Sequence, residues 1–384
     1  MKVTSPKLDY SASIVTSRVL YKNMLKPILF QFDPEFVHDR TTILGEWLGS
    51  NKICKKGLEK LFCKNYSQLT QQIAGISFSK PAGLAAGFDY DAKLMQVLPS
   101  LGFGFETIGT ITFKKYRGNP GPMLGRLPKS RSLMVNKGFK NKGAKAVANK
   151  LDRLNFNFPF GISIGRTNDA NLTQQESVQD IIDSLLVFQK SKVSNSYFEI
   201  NISCPNLYGN ITFYTVKNLN ALLREIEKLN IDTPFFIKMP IELNNKRILS
   251  LLAEISKYPY IKGVIFGNLQ KNRQDVSLIQ KEVSQWKMGN FSGKPTWQRS
   301  NELISLCYKN YSNRFIIIGC GGVFSAKDAY TKIKLGASLI QLITGMVYEG
   351  PQLISEINAG LAFYLERDGY AHISEAIGKG NFDH

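Results

Sequence analysis

Cys204 lies in the stretch NISCPN (201–206), just past a run of β-favouring apolar residues, with Pro205 behind it and an asparagine on either side. A thiol in such a place has two fates. It ionises and does acid–base or nucleophilic chemistry, with an unperturbed pKa near ~8.5, or it packs as a small hydrophobe, the commoner role of an unpaired cysteine. Asn201 and Asn206 favour chemistry, because an amide presents donor and acceptor together and matches the edge of a planar polar ring. Asn136 and Asn268 add the same group; one asparagine alone is more often a turn former. Lys238 interrupts the apolar run FFIKMP (235–240), where a buried cation must find a partner. Gly321 and Gly322 follow FIIIGC (315–320), and Ser292, Gly293 and Thr344 sit in comparable turns. Backbone N–H groups of such turns can cradle a phosphate; a plain turn is the simpler reading of any one of them. The small residues Ala85, Ala86 and Gly87 leave room either for a ligand against the backbone or for tight helix packing. His38, His372 and His384 all fall away from strand ends, so neither histidine chemistry nor a metal site is expected.

The elements that must carry these residues recur rhythmically. Eight short apolar runs occur: PAGLAAG (81–87), FETIGT (105–110), FGISIG (160–165), YFEINIS (197–203), FFIKMP (235–240), GVIFGN (263–268), FIIIGC (315–320) and LIQLITG (339–345). Amphipathic stretches such as VQDIIDSLLVFQKSK, LNALLREIEKLN, NKRILSLLAEISKY, SNELISLCYKNYS and AKDAYTKIKLG separate them. The runs are apolar on both faces, as strands covered on both sides require. Eight such units predict an α/β chain closed as a (β/α)8 TIM barrel. Polar and glycine residues gather at the C-terminal ends of the runs (Gly87, Thr110, Asn201, Lys238, Asn268, Gly321, Thr344), the face on which barrels build their sites.

Ahead of the barrel, residues 1–50 read as a helical extension, with 51–384 as the barrel domain. Asp33 and Pro34 suit the N-cap and first turn of its second helix. Phe36, Val37, Ile43, Leu44, Trp47 and Leu48 then repeat at helical spacing. Periodicity leaves two readings open: a pair packed under the barrel, or an amphipathic pair on a membrane with Arg18, Lys22 and Lys26 towards lipid headgroups. No run reaches the ~18–20 apolar residues of a spanning helix, and MKVTSPKLDYSAS lacks the apolar core of a secretory signal. The chain is therefore expected to be intracellular, and its five scattered cysteines to be reduced thiols. The net charge of +19 comes without any long basic block, which favours a lysine-rich surface or an anionic substrate over nucleic acid.

Taken in order, the motifs resemble the FMN-dependent dihydroorotate dehydrogenase family over about residues 80–365. NISCPN is similar to its active-site loop, and PAGLAAGFD, GFGFETIGTIT, RLPKSRSLMVNKGFKNKGA, IKMP, GNFSGKP, IIGCGGVFSAKDA and LGASLIQLITG follow in its order. The resemblance implies oxidation of dihydroorotate to orotate in pyrimidine biosynthesis, with Cys204 as the base that removes the C5 proton. It implies an FMN site formed by Ala85, Ala86, Gly87, Thr110, Ser163, Asn201, Lys238, Gly267, Ser292, Gly293, Gly321, Gly322 and Thr344. Substrate would meet Asn136, Lys137, Gly138, Phe139, Asn201, Asn206 and Asn268. LYKNMLKPILFQFDPEFVHD looks like the front end of the quinone-using, membrane-associated class, which implies a quinone acceptor and a peripheral place on the cytoplasmic face of a membrane.

Two departures stand out. The quinone class carries Ser as its base, and Cys belongs to the soluble classes. The family's GFDK is GFDY here, so Tyr90 replaces a lysine that contacts flavin and substrate carboxylate; Lys137 is expected to restore that cation. Two alternatives remain at this point: an FMN barrel of the tRNA dihydrouridine synthase type, and a degenerate barrel serving as a membrane-surface module.

Overall fold

The computed structural model describes residues 10–381 apart from Asn157 and Asn210; His384 and the first nine residues of the N-terminal stretch lie outside the described residues. The eight runs all form strands: β1 (Ala82–Leu84), β2 (Phe105–Ile111), β3 (Phe160–Ile164), β4 (Tyr197–Asn201), β5 (Phe235–Met239), β6 (Ile261–Phe266), β7 (Ile316–Cys320) and β8 (Leu339–Leu342). They pair in parallel and in sequence order, and β8 returns to β1, closing the barrel. Helices lie where the 3.6-residue periodicity places them, among them Gln174–Gln189, Val216–Glu227, Asn245–Ile255, Trp297–Tyr311 and Ala326–Leu335. Their apolar faces and the outward strand residues make one continuous core, including Leu222, Leu251, Leu252, Ile304 and Ile333.

A second, smaller cluster fills the barrel's lower interior. Phe105, Tyr197, Phe236, Ile265 and Ile318 meet Ile73 and Phe78 of the hairpin Gln71–Ile73/Ile76–Phe78. That hairpin closes the N-terminal end, so a ligand has only the other end to use. Over the open end lies a three-stranded antiparallel sheet of Leu124–Leu127, Ser132–Val135 and Asn290–Phe291.

The front end starts with helix α1 (Ala12–Leu20), passes through a π-helical turn (Tyr21–Leu25) and continues over Lys26–Leu29. Pro27 removes one backbone donor at that place, which is where a helix changes its hydrogen-bond register. Helix α2 (Pro34–Ser50) begins as expected, with the Asp33 side chain accepting the Phe36 N–H at 2.9 Å. A further helix, α3 (Lys52–Phe62), leads towards the barrel.

The packing reading of α2 fails for most of the residues that suggested it. Phe36, Ile43, Leu44 and Trp47 are exposed, and the helix instead buries His38, Thr42, Gly45 and Gly49 against the barrel. A Cβ on Gly45 would stand 2.3 Å from Leu94 Cδ2, so the small face is what lets the helix approach. The three cations assigned to lipid also turn elsewhere. Arg18 lies 3.7 Å from Glu356, Lys22 pairs with Glu349, and Lys26 donates to the Tyr348 carbonyl at 3.2 Å. Buried or half-buried carboxylates and carbonyls of the barrel draw these groups inward, away from a lipid-facing position.

Candidate active site

At the open end of the barrel a cavity of about 570 Å³ runs from the strand ends to the front-end helices. Its inner part is polar, with Thr110, Asn201, Cys204, Asn206, Lys238 and Asn268 on its wall. Its outer part is apolar, bounded by Leu25, Leu29, Val37, Leu44, Leu133, Met346 and Val347.

The strand register accounts for the inner group. Asn201 and Lys238 are paired neighbours on β4 and β5, both at the C-terminal end of the barrel. Lys238 finds a carboxylate: Glu199 Oε1 is 3.9 Å from Nζ, with both side chains deeply buried. Ser163 donates to the same oxygen at 2.7 Å, Ser163 and Thr110 hydroxyls lie 2.9 Å apart, and Asn201 Nδ2 donates to Thr110 Oγ1 at 2.9 Å. Glu199 was not singled out from the sequence, although a glutamate inside YFEINIS carried the same signal as Lys238 inside FFIKMP.

The Cys204 loop is fastened at several points. The Ser203 N–H donates to Asn201 Oδ1 at 3.2 Å, and Asn268 Nδ2 donates to the Ser203 carbonyl at 3.0 Å. Asn206 Nδ2 donates to the Val135 carbonyl at 3.0 Å, and its Oδ1 accepts from Asn290 at 2.6 Å. Behind them the buried Asn119, also unforeseen, donates to Asn136 Oδ1 at 2.9 Å and to the Asn206 carbonyl at 2.9 Å. The Cys204 sulfur is half-buried. Burial pushes its thiol up to about 11, against the opposing pull of the Asn206 amide, Lys238, Arg166 and Lys271. All five cysteines are free.

Not every expected residue touches the cavity. Ala86, Gly87, Thr110, Lys137, Gly138, Phe139, Asn201, Cys204, Asn206, Lys238, Asn268, Ser292 and Thr344 line it. Ala85 belongs to the inner barrel cluster, Ser163 supports Thr110, and Asn136 stands behind the wall on Asn119. The remaining glycines do not line the cavity; Gly293 follows Ser292, whose hydroxyl lies 2.8 Å from that of Thr344. Gly293, Gly321 and Gly322 all have positive φ. Added Cβ atoms would stand 2.7 Å from Thr344 Cγ2, 2.4 Å from Thr296 Oγ1 and 2.6 Å from Trp297 Cβ, respectively. Gly267 sits equally tightly on the Cys320 carbonyl, 2.2 Å from where its Cβ would be. Only glycine allows these turns to meet.

At the junction of the polar and apolar parts stands Tyr90. Lys137 Nζ is 4.8 Å from its ring centroid and the His38 ring is 5.1 Å from it. Glu35 of α2 accepts from Lys137 at 2.8 Å and from Lys140 at 2.6 Å. His38 Nε2 lies 2.7 Å from the Phe88 carbonyl. Burial, and after it Lys137, holds the His38 imidazole below its usual range. His38 lines the cavity from a helix, so reading histidines only at strand ends could not find it. Arg126 and Tyr21 are further lining residues that sequence reasoning passed over. Arg126 donates to the Phe32 carbonyl at 2.7 Å, and the Tyr21 hydroxyl donates to the Val347 carbonyl at 2.7 Å.

A family profile described as dihydroorotate dehydrogenase matches residues 68–365. The chain belongs to the dihydroorotate dehydrogenase family. Its similarity to curated members extends beyond the barrel. The dihydroorotate dehydrogenase (quinone) of Trichodesmium erythraeum is 34% identical over 381 residues, covering 94% of this chain and 99% of that protein. The protein of the same name from Christiangramia forsetii is 36% identical, covering 88% and 98%. Among solved structures, the dihydroorotate dehydrogenase of Eimeria tenella in complex with ferulenol superposes with a TM-score of 0.77 at 26% identity, over 91% of this chain and 98% of that one. These matches identify an oxidoreductase barrel and do not favour the RNA-modifying alternative. No helix among the described residues is long and apolar enough to cross a membrane.

Proposed function

We propose that the chain oxidises dihydroorotate to orotate with FMN as its cofactor and passes the electrons to a quinone. The observation that carries this reading is the single cavity with a polar barrel end at Cys204 and an apolar end between the helices. A planar polar substrate suits the first, and a lipid-soluble acceptor suits the second. The residues fit the cofactor: the turns at Gly293, Gly321 and Gly322, all at positive φ, would offer backbone N–H groups to a phosphate, and Gly87 presents exposed backbone to the cavity. Ala86, Gly87, Thr110, Asn201 and Lys238 would surround the ring, with Ala85, Ser163 and Gly267 packed behind them and Ser292 and Thr344 towards the phosphate.

When bound, FMN supplies the acceptor for the hydride that leaves C6 of dihydroorotate. Cys204 Sγ takes the proton from C5, leaving the C5–C6 double bond of orotate. Lys238 would contact the cofactor's ring system and supply a cation that favours negative charge on it. Asn201, Asn206 and Asn268 would orient the pyrimidine edge, with Asn136 supporting them from behind through Asn119 and with Gly138 and Phe139 beside the substrate. Lys137 supplies the cation for the substrate carboxylate that Tyr90 cannot supply.

Residues 1–50 would act as the quinone-access and membrane element and 51–384 as the FMN-binding barrel. Phe36, Ile43, Leu44 and Trp47 on α2 and Met24 and Ile28 before it form an exposed apolar surface, suited to peripheral binding on the cytoplasmic face of a membrane. Nucleic acid is not among the proposed partners. The deciding experiment is anaerobic mixing of the purified protein with dihydroorotate, followed by turnover with a short-chain quinone, fumarate or NAD. Flavin bleaching and quinone-dependent turnover are expected. Failure of dihydroorotate to bleach the flavin would refute the substrate, and turnover with fumarate or NAD alone would refute the acceptor.

A further inference from the structure

The carboxylate of Glu35 reaches from the front-end helices to two lysines that line the cavity, and its partners are unusual. Both of its oxygens are taken by lysines of one loop, Lys137 at 2.8 Å and Lys140 at 2.6 Å. The chain fixes Glu35 firmly, since it lies in the first turn of α2 between Pro34 and the Phe36 N–H capped by Asp33. Lys137 is only 6% exposed, and the face of Tyr90 covers it at 4.8 Å. Two ammonium groups against one carboxylate leave this corner with one net positive charge. A bound substrate carboxylate would bring the corner to neutrality.

We propose that Glu35 is a positioning residue for the substrate site, holding Lys137 charged and aimed at the substrate carboxylate, so that seating of the front-end helices sets substrate affinity. This rests on the reading of Lys137 as the carboxylate-binding cation.

The physical reason is desolvation. An ammonium group buried to this degree loses its proton unless an anion stays beside it. Burial lowers Lys137 and Glu35 raises it again. The other groups facing Lys137 do not replace Glu35. From α2 come Asp39, which is exposed and beside His38 Nδ1, and His38 itself, held neutral by burial. Asp33, just ahead of α2, is committed to the Phe36 N–H. From its own loop comes Lys140, a like charge, and from the loop after β1 comes Tyr90, whose phenol is kept protonated by burial and by Glu35. Burial disfavours the Glu35 carboxylate, yet Lys137 and Lys140 hold it below the usual range, so Glu35 stays anionic wherever the enzyme works. Without Glu35, the main group that raises Lys137 is gone and burial lowers it further.

The test is titration of the oxidised holoenzyme with orotate, read from the shift in the flavin absorbance spectrum, between pH 6 and 8.5. Flavin content is measured for each variant. Wild type should bind with a Kd nearly independent of pH. Glu35→Gln should bind more weakly than wild type as the pH rises, by up to about tenfold per pH unit once the lysine loses its proton. Glu35→Asp, which keeps the charge, should bind without that pH dependence. Lys137→Ala should bind weakly at every pH. If Glu35→Gln binds as wild type does across the range, or more tightly, while Lys137→Ala binds weakly, the positioning role falls and the role of Lys137 stands. If Lys137→Ala binds orotate like wild type, the reading of Lys137 falls and the proposal with it.

Discussion

The environment of Cys204 makes a sharp prediction for how the reductive half-reaction depends on pH. An unperturbed cysteine would give a rate that levels off near pH ~8.5. In the folded chain, burial pushes the thiol up to about 11, and the four groups that oppose burial recover only part of the shift. A substrate carboxylate adds negative charge near the sulfur and acts in the same direction. With the thiolate as base and a pKa of about 11, roughly 1 in 10,000 molecules is competent at pH 7 and 1 in 100 at pH 9. Flavin reduction by saturating dihydroorotate, followed by anaerobic stopped flow, should therefore rise about tenfold per pH unit with no plateau below about pH 10. Lys271→Met removes one of the charges that pull the thiol down, so it moves the rise upward in pH and never downward. Cys204→Ala should slow reduction by about 100-fold to 10,000-fold at every pH, the range for loss of a positioned base. A plateau near pH 8.5 would mean that the buried setting does not govern the base. Normal reduction in the alanine variant would remove Cys204 from the reaction altogether.

Three further outcomes test other parts of the site. Gly322→Ala places a Cβ 2.6 Å from Trp297 Cβ at a φ of +71°, so the purified variant should retain little FMN; full flavin content by absorbance would show that this turn is not the phosphate site. Glu199→Leu leaves Lys238 buried without its carboxylate, a loss of about 3–5 kcal/mol that chemical denaturation should register; a change below about 1 kcal/mol would mean that the charge is compensated elsewhere. Replacing Phe36, Ile43 and Trp47 by serine removes exposed apolar area from one face of α2. Co-sedimentation with anionic vesicles should fall several-fold while dihydroorotate still bleaches the flavin at the wild-type rate, and unchanged sedimentation would refute that face as the docking surface.

The barrel was legible because each strand is a short apolar run bounded by turn residues, and all eight runs form strands in parallel register. Residues at the strand ends were legible for the same reason: the period-two pleat and the direction of the barrel place them together. What escaped were partners supplied by other elements. Glu35 and His38 come from a helix and Arg126 from the sheet over the mouth. Their distances in sequence from what they touch (102 residues for Glu35 and Lys137) carry no periodic signal. The orientation of α2 escaped for a different reason. Its apolar repeat was plain, but hydrophobicity alone cannot say whether an apolar face meets protein or lipid. The discriminating mark was Gly45 and Gly49 on the opposite face, four residues apart, which is how a helix packs closely through its small side.

That geometry also bears on the apparent conflict between a cysteine base and a quinone-class front end. The two features occupy different parts of one cavity. Cys204 stands on the loop after β4, tied down by Asn201, Asn268 and neighbouring backbone, while the helices meet the cavity across Tyr90, Lys137 and the sheet that carries Val135. None of the hydrogen bonds that hold the Cys204 loop comes from α1 or α2. Under the proposed roles, the base would set the pH at which a proton leaves the substrate, and the helices what can approach from the apolar side. The relative named for quinone from Trichodesmium erythraeum matches 94% of this chain, and a thiol as the proposed base would require no change in the path by which electrons leave. A charged link between the two ends is Glu35, whose carboxylate crosses from the helix to Lys137. If the ends communicate, orotate affinity in Glu35→Gln is where the coupling will register.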